Sequence, residues 1–598
     1  MVKTREEVDN KFKWDLSTVY KDNDELKKDY DSISLKIDSF KENENSFLNS
    51  SDNLYNTLKV YYDINIILEK MWTFTSNRYN TDIANNENQA WKEKIYDLFE
   101  KFSISSSFMV PKLLEFGSKK VKEYLNENDN LKKDYNFILE DIFRSEKHTL
   151  SLKEETLMSS LSKAFSNTSK ISDMLADSDM DFGIIKDEDG NEVTLTNTNY
   201  SVYISSKDRK VRESAFKQLY KVYKQFNNTF SLLLSSYVSK NRAISQVRHF
   251  NSSLEASLFD DNVSVDVYDN LIDIVSKNLD ALYRYYKVKQ KELGLDEFHL
   301  YDIYVDISKK ESKKYTFDEA KELVIDALKV LGDDYITNLK KAFDEKWIDI
   351  YPNKGKTGGA YSSGSYLTNP FLLLNFNGLY HDVSTLAHEL GHSMHTYYSI
   401  RNNPYQYSGY HIFVAEVASQ VNELLLNNYM LEKVETKEEK INILNQILEL
   451  FKASIYRQTM FAEFEKEIAS MEQKGTILTA DVFNKTYYDL VKKFFGNDVV
   501  VDEEIQYEWQ GIPHFYYDFY VYMYSTGLAA ACHIVKGILG KKENAVDNYL
   551  AFLKTGGSDY PLNELLVAGV DLTKPEVIES AMDMFKDYLE KLEKLLNE

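Results

Sequence analysis

Only seven prolines and 21 glycines interrupt a chain of 598 residues. These two residue types end regular structure more readily than any others, so their scarcity favours long helices over a loop-rich β fold. The apolar spacing agrees. DNLYNTLKVYYDINIILEKMWTF (52–74) and LKKDYNFILEDIFRSEKH (131–148) carry apolar residues at mixed intervals of three and four, the period of an amphipathic helix. Successive helices of this kind are expected over residues 20–180. The pattern then breaks twice. In DFGIIKDEDGNEVTLTNTNYSVYI (181–204), alternating and β-branched residues flank Asp189-Gly190, a hairpin-turn signal. Helical periodicity resumes after DRKVRESAFKQLYKVYKQF (208–226) and runs to about residue 345. The segment 349–380 gathers Gly, Ser and Asn around short apolar runs and reads as strands and turns, with FLLLNF (371–376) as a strand. Helices return at His381. The expected fold is mainly α, with a soft boundary near residue 200 between an N-terminal helical domain (1–200) and a second domain (201–598). Helices are expected to pack across that boundary.

Composition narrows the function. With 43% hydrophobic and 28% charged residues, the chain has the makeup of a soluble globular protein with room for several structural units. A formal net charge of -23 opposes nucleic acid and anionic membranes as partners. The most basic run, KDRKVR (207–212), reads as a solvated helix face. A single cysteine, Cys532, cannot form an intramolecular disulfide and fits a reducing compartment. MVKTREEVDNKFKWDL at the start lacks the apolar core of a signal peptide, and no run of about 18 apolar residues occurs. The cytoplasm is the expected location.

Chemistry concentrates in HDVSTLAHELGHSMHTYYSI (381–400), which holds four of the ten histidines and the run His388-Glu389-Leu390-Gly391-His392. On a helix, residues four apart share one face. Two imidazoles placed there can reach one tetrahedral Zn2+ at about 2.0–2.1 Å. Glu389, beside the first of them, is placed to take a proton from a zinc-activated water. Gly391 would weaken an exposed helix by about 1 kcal/mol, so its presence points to another backbone or a ligand packed close. A third protein ligand is sought in HIFVAEVASQVNE (411–423), where Glu416 and Glu423 lie seven apart on one helical face. Spacing prefers Glu416 without deciding between the two. His395 shares the face of His388 and His392; a place behind the ligands, a substrate-side role and a hydrogen-bonded core histidine are all open to it. Farther on, GIPHFYYDFYVYMYSTG (511–527) holds His514 with Tyr516, Tyr517, Tyr520, Tyr522 and Tyr524. Most of these rings are expected in the core. A zinc peptidase also needs donors for its tetrahedral oxyanion. Tyr520 and Tyr524, four apart, are expected to share a helix face and point into a cleft, with His514 near its mouth.

Taken in order, KWDLSTVY, TNTNYSVYISSKDRKVRESAFKQLY, GGAYSSGSYLTNPFLLLNFNG, STLAHELGHSMH, FVAEVASQVNE, YRQTMFAEFE, HFYYDFYVYMYSTG and GGSDYPLNELLVAGVDL resemble the oligoendopeptidase F group of the thimet oligopeptidase (M3) family of zinc peptidases. The resemblance covers nearly the whole chain. It implies a large helical zincin-type metallopeptidase with two halves enclosing a deep substrate channel, a small β-sheet next to the HExxH helix, and a catalytic domain over 201–598. It implies one Zn2+ per chain on His388, His392 and Glu416, which decides for Glu416 over Glu423, with Glu389 as general base. His514 and Tyr524 match the family's oxyanion-stabilising residues. Tyr517 and Tyr520 both match its other catalytic tyrosine, because the spacing from His514 is shorter here than in the thimet type. Gly358, Gly359, Ala360 and Tyr361 are implied to border the channel, where an edge strand recognises the backbone of an extended peptide. The activity implied is internal cleavage of short peptides. A carboxypeptidase or aminopeptidase of related fold is one alternative, and an inactive peptide-binding protein is another.

Overall fold

A computed structural model describes residues 3–165, 167–308 and 313–598. Helices dominate, and many start where the sequence supplies a cap. Ser51–Thr81 begins behind Ser50, whose hydroxyl accepts from the Asn53 N–H. Asp129–Arg144 begins behind Asn128 in the same way and buries Leu131, Tyr135 and Leu139, one per turn. Among the described residues, no helix is long and apolar enough to cross a membrane.

The chain forms two compact units, each assembled from three separated stretches. The first contains Met1–Lys147, Ser312–Tyr429 and Ile534–Val570; the second contains His148–Glu311, Met430–His533 and Asp571–Glu598. The expected boundary near residue 200 falls inside the second unit. Hydrophobic period reports local faces, whereas these units are defined by contacts between residues hundreds of positions apart.

Strands are few and short. In the second unit, β1 (Ile184–Lys186) and β2 (Glu192–Thr194) form the expected antiparallel hairpin, with Ile185 opposite Val193. Gly190 closes its turn at φ +81°. A two-residue strand, β3 (Phe298–His299), lies parallel to the later β7 (Val499–Val500), a pairing no sequence pattern announces. The basic run also differs from expectation. Arg212 is buried, and its guanidinium donates to buried Asp302 at 2.6 Å while Arg209 donates to the same carboxylate at 2.9 Å. These two arginines form an internal clamp rather than a solvated face.

In the first unit, β4 (Ile348–Asp349), β5 (Tyr361–Ser363) and β6 (Phe371–Leu373) form a sheet in the order β4-β6-β5. β4 runs parallel to β6 and β5 antiparallel, with Ser362 opposite Leu372. The KWDLSTVY segment packs here: Trp14 meets Phe371 edge-on at 6.0 Å. Asp349 is buried between two cations, Lys356 at 2.7 Å and Arg5 at 2.8 Å. The sheet therefore holds its charges in pairs, as burial requires, and leaves β5 as an edge strand.

Candidate active site

The motif helix, Tyr380–Asn402, begins where the Asp382 carboxylate accepts from the Leu379 N–H at 2.8 Å. A second helix, Ala415–Lys433, returns against it. The two press together at Gly391. A Cβ there would lie 2.5 Å from both the Ala418 carbonyl oxygen and the Ser419 Cα. The glycine thus permits a backbone approach that any side chain would block, and the close neighbour expected at Gly391 is another helix. Asn422 locks the joint by donating to the Ala387 carbonyl at 3.1 Å.

Across this joint, His388 Nε2 lies 3.4 Å from Glu416 Oε2, and His392 Nε2 lies 3.8 Å from the same oxygen. Candidate ligand atoms of all three residues fall within 4.8 Å of one another. Ligands at the usual zinc distances in a tetrahedron are about 3.3 Å apart, so this donor set fits a zinc ion with a fourth position for another ligand. Glu423 takes a different place. Its Oε2 meets His388 Nδ1 at 3.1 Å, and its Oε1 accepts from Ser384 Oγ at 2.7 Å. A carboxylate on Nδ1 fixes the ring and leaves Nε2 for a metal. Two turns of one helix therefore offer a ligand oxygen and the support for a ligand histidine.

The electrostatics also favour a cation. Burial lowers the His388 pKa, but Glu423, Glu416 and Glu389 together push it up to about 9. Burial and the charge of His388 pull His392 down to about 4. Burial pushes Glu389 up to about 7 against the opposing pull of His388. Glu389 is only 7% exposed, and its Oε2 has no hydrogen-bond partner among the described residues. A buried carboxyl with an unused oxygen, titrating near neutrality, can serve as a general base.

The sheet runs beside this helix. Ser362 of β5 shares a 2.7 Å hydroxyl hydrogen bond with Ser393 of the motif helix. Ahead of β5, Gly359 has φ +76°, and open space surrounds Gly358 and Gly359. Asn375 shapes the approach by donating to the Gly359 carbonyl at 2.8 Å. Ala360 links this loop to the strand. The Tyr361 hydroxyl donates to Asn77 and accepts from Asn80, both at 2.9 Å, so its side chain anchors the strand.

The second constellation lies in the second unit. His514 sits in the short turn Pro513–Tyr516, and the Tyr524 hydroxyl is 3.4 Å from its Nε2. Tyr520 stacks on His514 at 6.3 Å and meets Tyr524 edge-on at 5.3 Å. Tyr517 meets His514 edge-on at 5.6 Å and is half exposed. Burial lowers the His514 pKa. Tyr516 and Tyr522 are buried.

Tyr520 does not share a helix with Tyr524 as expected. The helix begins only at Tyr522, because Asp518 and Phe519 take left-handed φ values of +49° and +62°. Such values are costly for residues with side chains, and here long-range hydrogen bonds hold them. Tyr237 donates to Asp518 Oδ1 at 2.6 Å and accepts from the Asp518 N–H at 3.1 Å. Asn241 and Ser257 donate to the side chain and carbonyl of Asp518. Glu465, from YRQTMFAEFE, accepts the Phe519 N–H at 3.2 Å. Burial raises the pKa of that carboxyl well above the usual carboxylate range.

A family model described as Peptidase family M3 matches residues 202–584, and one described as Oligopeptidase F matches residues 112–182. The chain belongs to peptidase family M3. Among its M3 relatives is oligopeptidase PepF of Bacillus subtilis, 39% identical over 99% of this chain and 88% of that protein. Another is the group B oligopeptidase PepB of Streptococcus agalactiae, 37% identical over 100% of this chain and 99% of that protein. The crystal structure of oligoendopeptidase-F from Enterococcus faecium superposes with a TM-score of 0.76 at 31% identity, covering 96% of this chain and 99% of that one. Membership makes the M3 chain a metalloendopeptidase by class, on the mainly helical fold described above.

His395 stands apart from the hydrogen-bonded part of this M3 site. It stacks on Tyr410 at 3.8 Å with planes 3° apart, and neither ring nitrogen has a hydrogen-bond partner among the described residues. Burial, then the charge of His392, pulls its pKa down to about 3, so it is a neutral packing ring on the motif helix. Sequence reasoning missed Ser384, Asp518 and Glu465 altogether, and it weighed Glu423 only as a ligand. The seven-residue interval was the one available signal for Glu423.

Proposed function

We propose that this M3 chain is a zinc-dependent endopeptidase that cleaves internal bonds of short oligopeptides in the cytoplasm. The observation that carries the reading is the convergence of His388, His392 and Glu416 within 4.8 Å, with buried Glu389 on the same helix. The names of the relatives, oligopeptidases and oligoendopeptidases, support the substrate class. A zinc ion held by the three side chains supplies Lewis acidity toward water and a peptide carbonyl. Glu389 accepts the proton of the attacking water on its carboxylate and delivers it to the leaving amine. His514 and Tyr524 donate hydrogen bonds to the developing oxyanion. Tyr520 is preferred to Tyr517 as their companion because its ring meets both His514 and Tyr524. The open Gly358-Gly359-Ala360 approach and the β5 edge receive the substrate backbone as an added strand.

The deciding experiment is Glu389→Gln assayed on an internally quenched peptide blocked at both ends. Turnover should fall by about 10^3-fold while bound zinc, measured by mass spectrometry, stays near one per chain. Wild-type turnover in the variant would remove Glu389 as the base. Failure of the parent protein to cut a doubly blocked peptide would point instead to an exopeptidase.

A further inference from the structure

The stretch GGSDYPLNELLVAGVDL has no part in the chemistry above, and its start lies against the loop that leads to Glu416. Gly556 takes φ +60°, and a Cβ there would lie 2.1 Å from the Tyr407 carbonyl oxygen. A Cβ on Gly557 would lie 2.4 Å from the Gly409 carbonyl oxygen. Two consecutive glycines therefore let two backbones touch, as Gly391 does between the helices. Hydrogen bonds close the joint. The Gly557 N–H donates to the Tyr407 carbonyl at 2.9 Å, Asn403 donates to the Lys554 carbonyl at 2.8 Å, and the His411 ring donates to the Asp559 carbonyl at 2.9 Å.

Tyr410 stands among these anchors. Its ring lies flat on His395 of the motif helix at 3.8 Å, and its hydroxyl shares a 3.3 Å hydrogen bond with Thr396 Oγ1. Burial raises the Tyr410 pKa and the charges of Glu416 and Glu389 add to the rise, so the phenol lies within electrostatic reach of both carboxylates. From Tyr410 the chain enters the ligand helix through the short turn Ile412–Val414. That entry serves two ligands at once. Glu416 lies in the first turn of the helix, and the backbone of Ala415 hydrogen-bonds the His392 ring. A shift of the loop would move both.

We propose that Tyr410 is a positioning residue for the metal centre. Its ring is stacked on His395 and its loop is held by the Gly556-Gly557 segment, and together they set where residues 403–414 deliver Glu416 and the Ala415 backbone. The inference rests on the proposed zinc site and adds to it a residue and a chain segment outside the ligand set. Groups that orient metal ligands without touching the metal typically change its affinity by about 10–100-fold.

The test measures metal rather than turnover, on the full chain loaded with zinc or with cobalt(II). Chelator competition gives the zinc affinity, and the visible absorption of the cobalt form reports ligand geometry. Tyr410→Leu, which removes the stacked ring, should weaken zinc about tenfold and shift the cobalt bands. Tyr410→Phe, which keeps the ring, should restore both to the parent values. Gly557→Ala, which pushes on the Gly409 carbonyl, should act in the same direction as Tyr410→Leu. Parent affinity and spectrum in Tyr410→Leu overturn the proposal. So does a Tyr410→Phe variant as weak as Tyr410→Leu, since the hydroxyl and not the ring would then be acting. If circular dichroism shows that Tyr410→Leu does not fold, Gly557→Ala decides in its place, and parent values there overturn the proposal. A parent protein that takes up neither ion overturns the zinc reading and this inference with it, whereas the variant outcomes bear on the inference alone.

Discussion

The histidine pair and the His514–Tyr524 cluster are built by opposite means. His388 and His392 meet because a regular helix repeats, and Glu416 reaches them because Gly391 lets a second helix lie against the first. His514, Tyr520 and Tyr524 meet because a helix is prevented from forming: two left-handed residues, Asp518 and Phe519, turn the chain between them. In the first case periodicity places the groups. In the second, side chains from residues 237, 241, 257 and 465 impose a conformation that the local sequence disfavours. Two imidazoles on one helix face can be written in five residues, whereas a His–Tyr cluster of this type needs the whole unit around it.

That contrast can be broken experimentally. Tyr524→Phe should carry the largest effect, a fall of about 10^2-fold in kcat with KM little changed, read from steady-state kinetics. A change confined to KM would remove the cluster from the chemistry. Gly391→Ala drives a methyl group into the Ala418–Ser419 backbone and should lower unfolding free energy by about 1–3 kcal/mol in a urea titration. Unchanged stability would mean that the two helices separate freely, and regular geometry would no longer explain the metal centre. Glu423→Gln should weaken zinc about tenfold in a chelator competition, since Nδ1 of His388 loses its anionic partner. Asp518→Ala should have the smallest effect, a several-fold drop in kcat with zinc affinity unchanged. Loss of zinc in that variant would show that the two regions are not separate constructions.

The same contrast explains what could be read in advance. The helix over 52–74, the one over 131–148 as far as Arg144, the Asp189-Gly190 hairpin and the strand within 371–376 follow from period and turn chemistry, and all are present. The pairing of His388 and His392 on one face was legible from helix spacing, whereas spacing left Glu416 and Glu423 both open as their neighbour. Three features were hidden. Arg212 looked like part of a solvated run because its partner, Asp302, lies 90 residues away. The spacing of Tyr520 and Tyr524 suggested one helix face, but spacing carries no information about a left-handed turn held from elsewhere. Glu423 was visible as an acid on the correct face, but only the orientation of His388 distinguishes support from ligation.

The threading of the first unit has a consequence for biosynthesis. That unit is completed by Ile534–Val570, which pack on parts of it made long before. Phe552 lies 5.2 Å from the ring of His395 on the motif helix, and Tyr560 donates to Asp141 at 3.0 Å. A ribosome releases the HExxH segment well before it releases the residues that back it. The nascent chain must therefore carry an unfinished first unit through most of translation, exposed to chaperones and to aggregation. It also means that a hydrolase of peptide bonds gains its packed catalytic helix only when its own synthesis is nearly over.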